Sequence, residues 1–202
     1  MKAMPSIAIL CLLVLSQGCG SHPKIARLTE ASVVVAFGDS LTAGTGAQGH
    51  EAYPAVLQRL LNRTVINAGI PGELSNEGLS RLPSVTDAHK PSLVVLCHGG
   101  NDLLQHNGIE EIKNNLSQMI QYLKGQNIDV ILIGVPEPSL LHQTASLYRD
   151  LTDRYNLPYE GKILNKVLSD RSLKSDQIHP NAKGYNKLAE AVAELIEKSQ
   201  AL

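Results

Sequence analysis

The chain contains no tryptophan and a single phenylalanine. Proteins that grip single-stranded nucleic acid stack bases on aromatic side chains and carry a basic excess. Here 18 Lys and Arg stand against 19 Asp and Glu, a formal net charge of -1, so no nucleic-acid partner is expected. No long run of like charge and no low-complexity tract is present, which excludes the composition of a disordered chain. The seven histidines are scattered, with no His-Glu-x-x-His and no paired cysteines, so no metal site is expected. No glycine-rich phosphate loop or dinucleotide fingerprint follows any apolar run, so no cofactor is expected. Internal repeats are also missing. What is there is a chain of 202 residues, 43% hydrophobic and 18% charged, enough for one globular domain with a sizeable core.

The amino-terminal residues read as a leader. Lys2 supplies a positive start, and Ile7 to Leu15 is an apolar run too short to span a bilayer comfortably. It runs into Leu15-Ser16-Gln17-Gly18-Cys19. A small residue directly before a Cys resembles the lipobox of bacterial lipoproteins, with Ser16 standing where Leu is usual. That resemblance implies a signal peptide over 1–18, cut before Cys19, whose thiol and new amino group are acylated. An ordinary secretory signal cut nearby is the other reading. Two or more acyl chains would hold the protein at a membrane surface. The expected location is that of a membrane-anchored lipoprotein facing the periplasm; a soluble periplasmic or secreted protein is the alternative. Gly20 replaces the Asp associated with inner-membrane retention, which points to the outer membrane where one exists. Residues 19–30 then read as a tether and 31–202 as the domain. Cys11 falls in the leader and Cys19 at the lipid site, so Cys97 alone remains and no disulfide is expected. Its apolar surroundings suit a core cysteine better than a catalytic thiol.

Along the domain, apolar β-branched runs alternate with helical patterns. The runs are Val33 to Phe37, Thr64 to Asn67, Ser92 to Cys97 and Asp129 to Val135. Each is continuous rather than alternating, as expected of strands covered on both faces. Helices are expected over Tyr53 to Leu61, with Pro54 in the first turn, and over Leu147 to Tyr155. Ile109, Ile112, Leu116, Met119, Ile120 and Leu123 form another helical stripe. Tyr185, Leu188, Ala189, Val192, Leu195 and Ile196 give a last helix its buried face, and Pro180 is expected to start it. This order predicts a three-layer α/β/α sandwich around a central parallel sheet. Ligands of such sheets bind beyond the carboxyl ends of the strands.

Chemistry-bearing residues cluster at those ends. Gly38-Asp39-Ser40-Leu41 follows the first run, and Ser40 either presents a nucleophilic hydroxyl or caps the next helix. Thr42 excludes the Gly-x-Ser-x-Gly elbow. Asn67-Ala68-Gly69-Ile70-Pro71-Gly72-Glu73 follows the second run and reads equally as a backbone donor or a turn. His98-Gly99-Gly100-Asn101-Asp102 follows the third, where Asn101 suits an oxyanion donor or an Asx turn, and Asp102 a helix cap. Asp176-Gln177-Ile178-His179-Pro180 lies near the carboxyl terminus. An Asp three residues before a His can hold one ring nitrogen while the other serves as a base.

In order and position these four segments resemble the blocks of the SGNH (GDSL) hydrolase family, over residues 33 to 195. The stretches Asn67 to Pro83 and Gly99 to Leu103 are most similar to its bacterial thioesterase/lysophospholipase/arylesterase group. The resemblance implies a flavodoxin-like sheet order and a serine esterase acting on acyl or thioester substrates. Ser40 would be the nucleophile, His179 the base and Asp176 its orienting carboxylate. Ser40 and Gly72 would donate backbone N–H groups, and Asn101 its side-chain amide, to the oxyanion. Gly69 is the alternative second-block donor, and Glu73 stands where close relatives often carry Asp. His98 is expected to pack beside the third strand, with a place on the cleft wall as its alternative. The loop Pro136 to Leu141 follows the fourth run, so Leu140 and Leu141 are expected to line an acyl groove, unless they turn into the core. A carbohydrate O-acetyl esterase is one alternative activity, and a non-catalytic membrane-tethered binding protein another. The chain is expected to act as a monomer on a small-molecule or lipid ester.

Overall fold

A computed structural model describes residues 23–138 and 143–200. Five parallel strands form one sheet in the order β2-β1-β3-β4-β5. They are β1 (Val33–Gly38), β2 (Thr64–Gly69), β3 (Leu93–Cys97), β4 (Asp129–Ile133) and β5 (Tyr159–Glu160). Every residue of β3 is buried, as are all of β1 and β4 beyond their first. Such strands need cover on both faces, and their Val, Leu and Ile content supplies the surface that makes this favourable. The helices are α1 (Ser40–Ala43), α2 (Tyr53–Leu61), α3 (Ser75–His89), α4 (Gly100–Leu104), α5 (Ile109–Gly125), α6 (Ser146–Tyr155), α7 (Ile163–Ser169) and α8 (Ala182–Ser199). The helices α2, α7 and α8 pack together as one group, and α3, α5 and α6 as another, giving three layers.

Four details differ from expectation. The edge strand β2 is only part-buried, since among the described residues no strand pairs with its outer side. The helix α3 runs through Pro83, and its buried stripe is Ser75, Gly78, Leu82 and Thr86. The spacing is helical, but only Leu82 is strongly apolar, so no apolar period marks it. The last helix begins at Ala182 rather than Pro180, because the Asn181 side chain caps it through the N–H groups of Lys183 and Gly184. Ile109 is exposed, since it starts α5 and lies beyond the sheet.

The segment expected to be a tether is docked from Ile25 onward. Ile25 is 3% exposed, and its N–H donates to the Ser199 carbonyl at 2.9 Å. The Ala26 N–H donates to the Asp129 carboxylate at 2.6 Å, and Leu28 is buried. Cys19 and the leader lie outside the described residues, as do Leu140 and Leu141. No helix among the described residues is long and apolar enough to cross a membrane.

The strand order positions the site. The chain passes from β1 outward to β2, then crosses to β3 on the other side of β1. Winding reverses there, so a crevice opens between the carboxyl ends of β1 and β3.

Candidate active site

Ser40 sits two residues past β1, as the first residue of α1. Asp39 caps that turn: its Oδ1 accepts the Leu41 N–H at 3.0 Å, and its carbonyl accepts from Thr42 and Ala43. The Ser40 N–H has no acceptor among the described residues. Asp39 is almost fully buried, and its Oδ2 has no hydrogen-bond partner among them. Burial therefore raises its carboxyl above the ordinary value.

His179 reaches Ser40 from the far end of the chain. The loop from Lys174 to Pro180 is closed by an antiparallel bridge between its ends and by the Ser175 N–H donating to the His179 carbonyl at 3.0 Å. Within it, Asp176 Oδ1 accepts the N–H groups of Ile178 and His179, both at 2.8 Å. Asp176 Oδ2 lies 2.8 Å from His179 Nδ1, and His179 Nε2 lies 3.0 Å from Ser40 Oγ. Burial pushes the Asp176 carboxyl up, but the hydrogen bonds from the His179 ring and the two backbone N–H groups outweigh it, so it titrates below the usual range. A carboxylate, an imidazole and a hydroxyl in this chain can move a proton off the hydroxyl.

Asn101 lies on α4, just past β3. One hydrogen of its amide goes to the Glu73 carbonyl at 2.9 Å, and the other is left for the cavity that Asn101 lines. Gly99 begins this turn at a φ of 97°, a conformation that favours glycine. Asp102 is a cap for a different helix than its own: its carboxylate accepts the N–H and hydroxyl of Ser75, at 2.9 and 2.7 Å, at the start of α3.

The second-block loop is a turn over Ile70 to Glu73, with the Glu73 N–H donating to the Ile70 carbonyl and Gly72 at a φ of 81°. Pro71 before that Gly is the signature of a type II turn. The Gly72 N–H has no acceptor among the described residues, whereas the Gly69 N–H is taken by Asn67 Oδ1 at 3.0 Å. Gly69 also packs so closely against the backbone of Thr42 and Ala43 that no side chain fits there. Ser40, Asn101 and His179 share the cavity wall, but Gly72 is not among the residues lining it.

Sequence reasoning missed what braces this loop. Glu73 is buried, and Arg81 grips its carboxylate with two donors at 2.5 and 2.6 Å. Arg81 also donates to the carbonyls of Ala68 and Gly38, at 2.9 and 3.3 Å, and lies 4.0 Å over the Phe37 ring. His98 is buried beside β3 and is not among the described residues that line the cavity beside Ser40. Its Nδ1 accepts the Gly99 N–H at 2.8 Å, so the proton is on Nε2, which donates to Glu73 at 3.0 Å. Burial pushes the Glu73 carboxyl up, but the hydrogen bonds from His98 and Arg81 outweigh it and hold it below its ordinary value.

The cavity beside Ser40 has a volume of about 390 Å³. Leu104, Val135, Pro136, Pro138, Leu168 and Ile178 give it an apolar wall, and among the described residues no Phe, Tyr or Trp lines it. Pro136 and Pro138 come from the loop expected to carry an acyl groove. Cys97 is buried in β3, and burial pushes its thiol well up, which leaves it inert. Among the described residues no cluster of three His, Cys, Asp or Glu could hold a metal ion.

The chain is 28% identical to the thioesterase 1/protease 1/lysophospholipase L1 of Escherichia coli over 179 residues, covering 85% of this chain and 86% of that protein. It is 29% identical to an arylesterase of Vibrio mimicus over 176 residues, covering 82% and 88%. The crystal structure of AlinE4, an SGNH-hydrolase family esterase, superposes with a TM-score of 0.67 at 33% identity, covering 85% of this chain and 98% of that one. The profile of the GDSL-like Lipase/Acylhydrolase family matches residues 36–187, from within β1 into α8, and the chain belongs to that family.

Proposed function

We propose that this protein is a serine esterase that cleaves acyl esters and thioesters through an acyl-enzyme on Ser40. It is an ester-hydrolysing enzyme of the GDSL family, similar to thioesterase, lysophospholipase and arylesterase relatives. The observation that carries the mechanism is the 3.0 Å separation of Ser40 Oγ and His179 Nε2, with Asp176 on the other ring nitrogen.

His179 takes the Oγ proton as Ser40 attacks the carbonyl carbon. The oxyanion accepts from the Ser40 N–H, the Gly72 N–H and the second hydrogen of the Asn101 amide. His179 then protonates the leaving alcohol or thiol. Water, deprotonated by His179, releases the acid. Asp176 fixes the ring and balances its charge when protonated. The apolar wall and the lack of aromatic lining favour acyl chains over stacked sugars.

We further propose export by the leader and acylation of Cys19, carried by the Gly18-Cys19 pair. The activity is tested with p-nitrophenyl esters from acetate to palmitate, on wild type and Ser40→Ala. Loss of at least about 10⁴-fold in the variant is expected. Equal turnover by both would exclude Ser40 as nucleophile.

A further inference from the structure

We infer that the anchored enzyme holds its cleft away from the membrane that carries it, and so acts on amphiphilic acyl esters reaching it through water rather than on lipids of its own leaflet. The inference rests on the proposed acylation of Cys19 and deepens the esterase reading.

The helix α8 acts as a ruler. Its 18 residues span about 27 Å. His179 precedes its first turn, and Ile25 is bonded to Ser199, its last residue. Ala26 is bonded to Asp129, the first residue of β4, so the docked segment lies at the amino ends of the parallel strands. Ser40 and Asn101 lie past the carboxyl ends. The chain therefore leaves the domain at the end opposite the site.

Covalent reach decides whether this matters. Six Cα steps separate Cys19 from Ile25, so even fully extended they span roughly 22 Å. That is short of the length of α8. A longer tether would let the domain turn over; this one ties its amino end to the surface. Ile70 follows the carboxyl end of β2, Leu104 and Ile109 follow that of β3, and Ile178 lies in the His179 loop, so these four exposed apolar side chains lie at the opposite end; Leu60, 50% exposed, lies in the last turn of α2, just before the amino end of β2. Leu104 and Ile178, 38% and 39% exposed, line the cavity and give it an apolar rim suited to an acyl chain arriving from solution.

The test uses the full-length protein, processed by a bacterial host and extracted from its membranes. Mass spectrometry of the amino-terminal peptide reports the modification. The purified protein is placed on phosphatidylcholine vesicles containing a quencher lipid. A bimane dye is attached at Ile178→Cys in one variant and at Arg27→Cys in another; Cys97 is buried and does not label. Strong quenching at position 27 and little at 178 is expected. Turnover of an octanoyl ester held in the same vesicle by a dialkyl anchor should exceed turnover of that ester in separate vesicles by no more than about threefold. A cleft facing the bilayer would gain roughly 10²-fold or more from effective concentration. Inserting twenty Gly/Ser residues after Gly20 adds roughly 25 Å of flexible reach. That variant should raise same-vesicle turnover at least about tenfold, with water-borne octanoyl ester unchanged. Quenching at 178, or a large same-vesicle advantage in the unextended protein, overturns the inference. So does an unmodified Cys19. Failure of the esterase reading is distinguishable, because an inert protein would turn over no water-borne ester while its quenching pattern stayed readable.

Discussion

The imidazole of His98 is turned onto Glu73, with Nε2 3.0 Å from Oε2. Arg81 completes the grip, and the Glu73 carbonyl in turn holds the Asn101 amide. Glu73→Gln keeps the shape but leaves the part-buried Arg81 without its counter-ion. A cost of about 3 kcal/mol at neutral pH is expected, measured by urea unfolding. The folded protein holds the Glu73 carboxyl below its ordinary value of 4.5, so the contribution is present above that value. It is lost as pH falls through the depressed one. The gap between wild type and variant should therefore be constant from pH 8 to 5 and close in more acid solution. A gap that instead widened toward acid would refute the ion-pair account.

Asn101 connects this brace to the chemistry. Asn101→Ala removes one oxyanion donor, a loss that typically costs about 10²–10³ in turnover. KM should change little, because the donor acts on charge that develops only in the transition state. Near-normal kcat in a folded variant would remove Asn101 from the oxyanion hole.

Asp39 should show the opposite pH signature to Glu73. Its carboxyl is raised by burial, so the folded state binds its proton more tightly than the unfolded state. The charged form costs stability above the raised value, and that cost fades as pH falls toward the ordinary 3.8. Asp39→Asn still offers an oxygen to the Leu41 N–H and carries no charge. Its melting temperature should exceed that of wild type at pH 8, with the difference shrinking toward pH 4. A variant less stable than wild type across that range would show that the carboxylate, unpartnered oxygen included, is needed by the fold.

Asp176 differs from a buried triad carboxylate in its exposure. Its side chain is 52% exposed, while that of His179 is 14% exposed. Where the corresponding Asp is buried, replacing it with Asn costs about 10⁴ in kcat through the wrong imidazole tautomer. Solvent beside Asp176 can stabilise the protonated ring in part, so Asp176→Asn should lose about 10²–10³. Steady-state kcat on p-nitrophenyl butyrate decides this, and a loss as large as that of Ser40→Ala would mean that solvent does not substitute.

The central strands were legible because β1, β3 and β4 are apolar runs, and the candidate site because Ser40 and Asn101 follow strand ends and Asp176 stands three residues before His179. Ser40 lies 139 residues from His179 in sequence, and the fold brings its Oγ to 3.0 Å from Nε2, with Asp176 on the other ring nitrogen. The helix α3 was not legible, because Ser75, Gly78 and Thr86 occupy its buried stripe and only tertiary bonds, such as Asp102 to Ser75, justify them. The strand β5 escaped because two residues carry no period, and α7 because it is a bare two turns. The Glu73–Arg81–His98 brace was hidden for another reason. Arg81 and His98 lie 8 and 25 residues beyond Glu73, in α3 and just past β3, and no local pattern marks an ion pair made across such separations.

The cavity wall leads to a prediction about chain length. Leu104 and Ile178 line the cavity and are 38% and 39% exposed, so each has apolar surface free to meet a substrate. An acyl chain lying across them removes water from both partners, at about 0.8 kcal/mol per buried methylene. Acetyl esters are too short to use that surface, whereas octanoyl esters can. The double variant Leu104→Ser, Ile178→Ser should therefore lower kcat/KM on the octanoyl ester by about tenfold, equivalent to about 1.4 kcal/mol. On the acetyl ester the change should stay under about twofold, because the catalytic groups are untouched. Equal losses on both would mean that the two side chains support the His179 loop or α4 rather than the substrate. A loss confined to octanoyl would place the acyl chain along this wall, between α4 and the loop that carries His179.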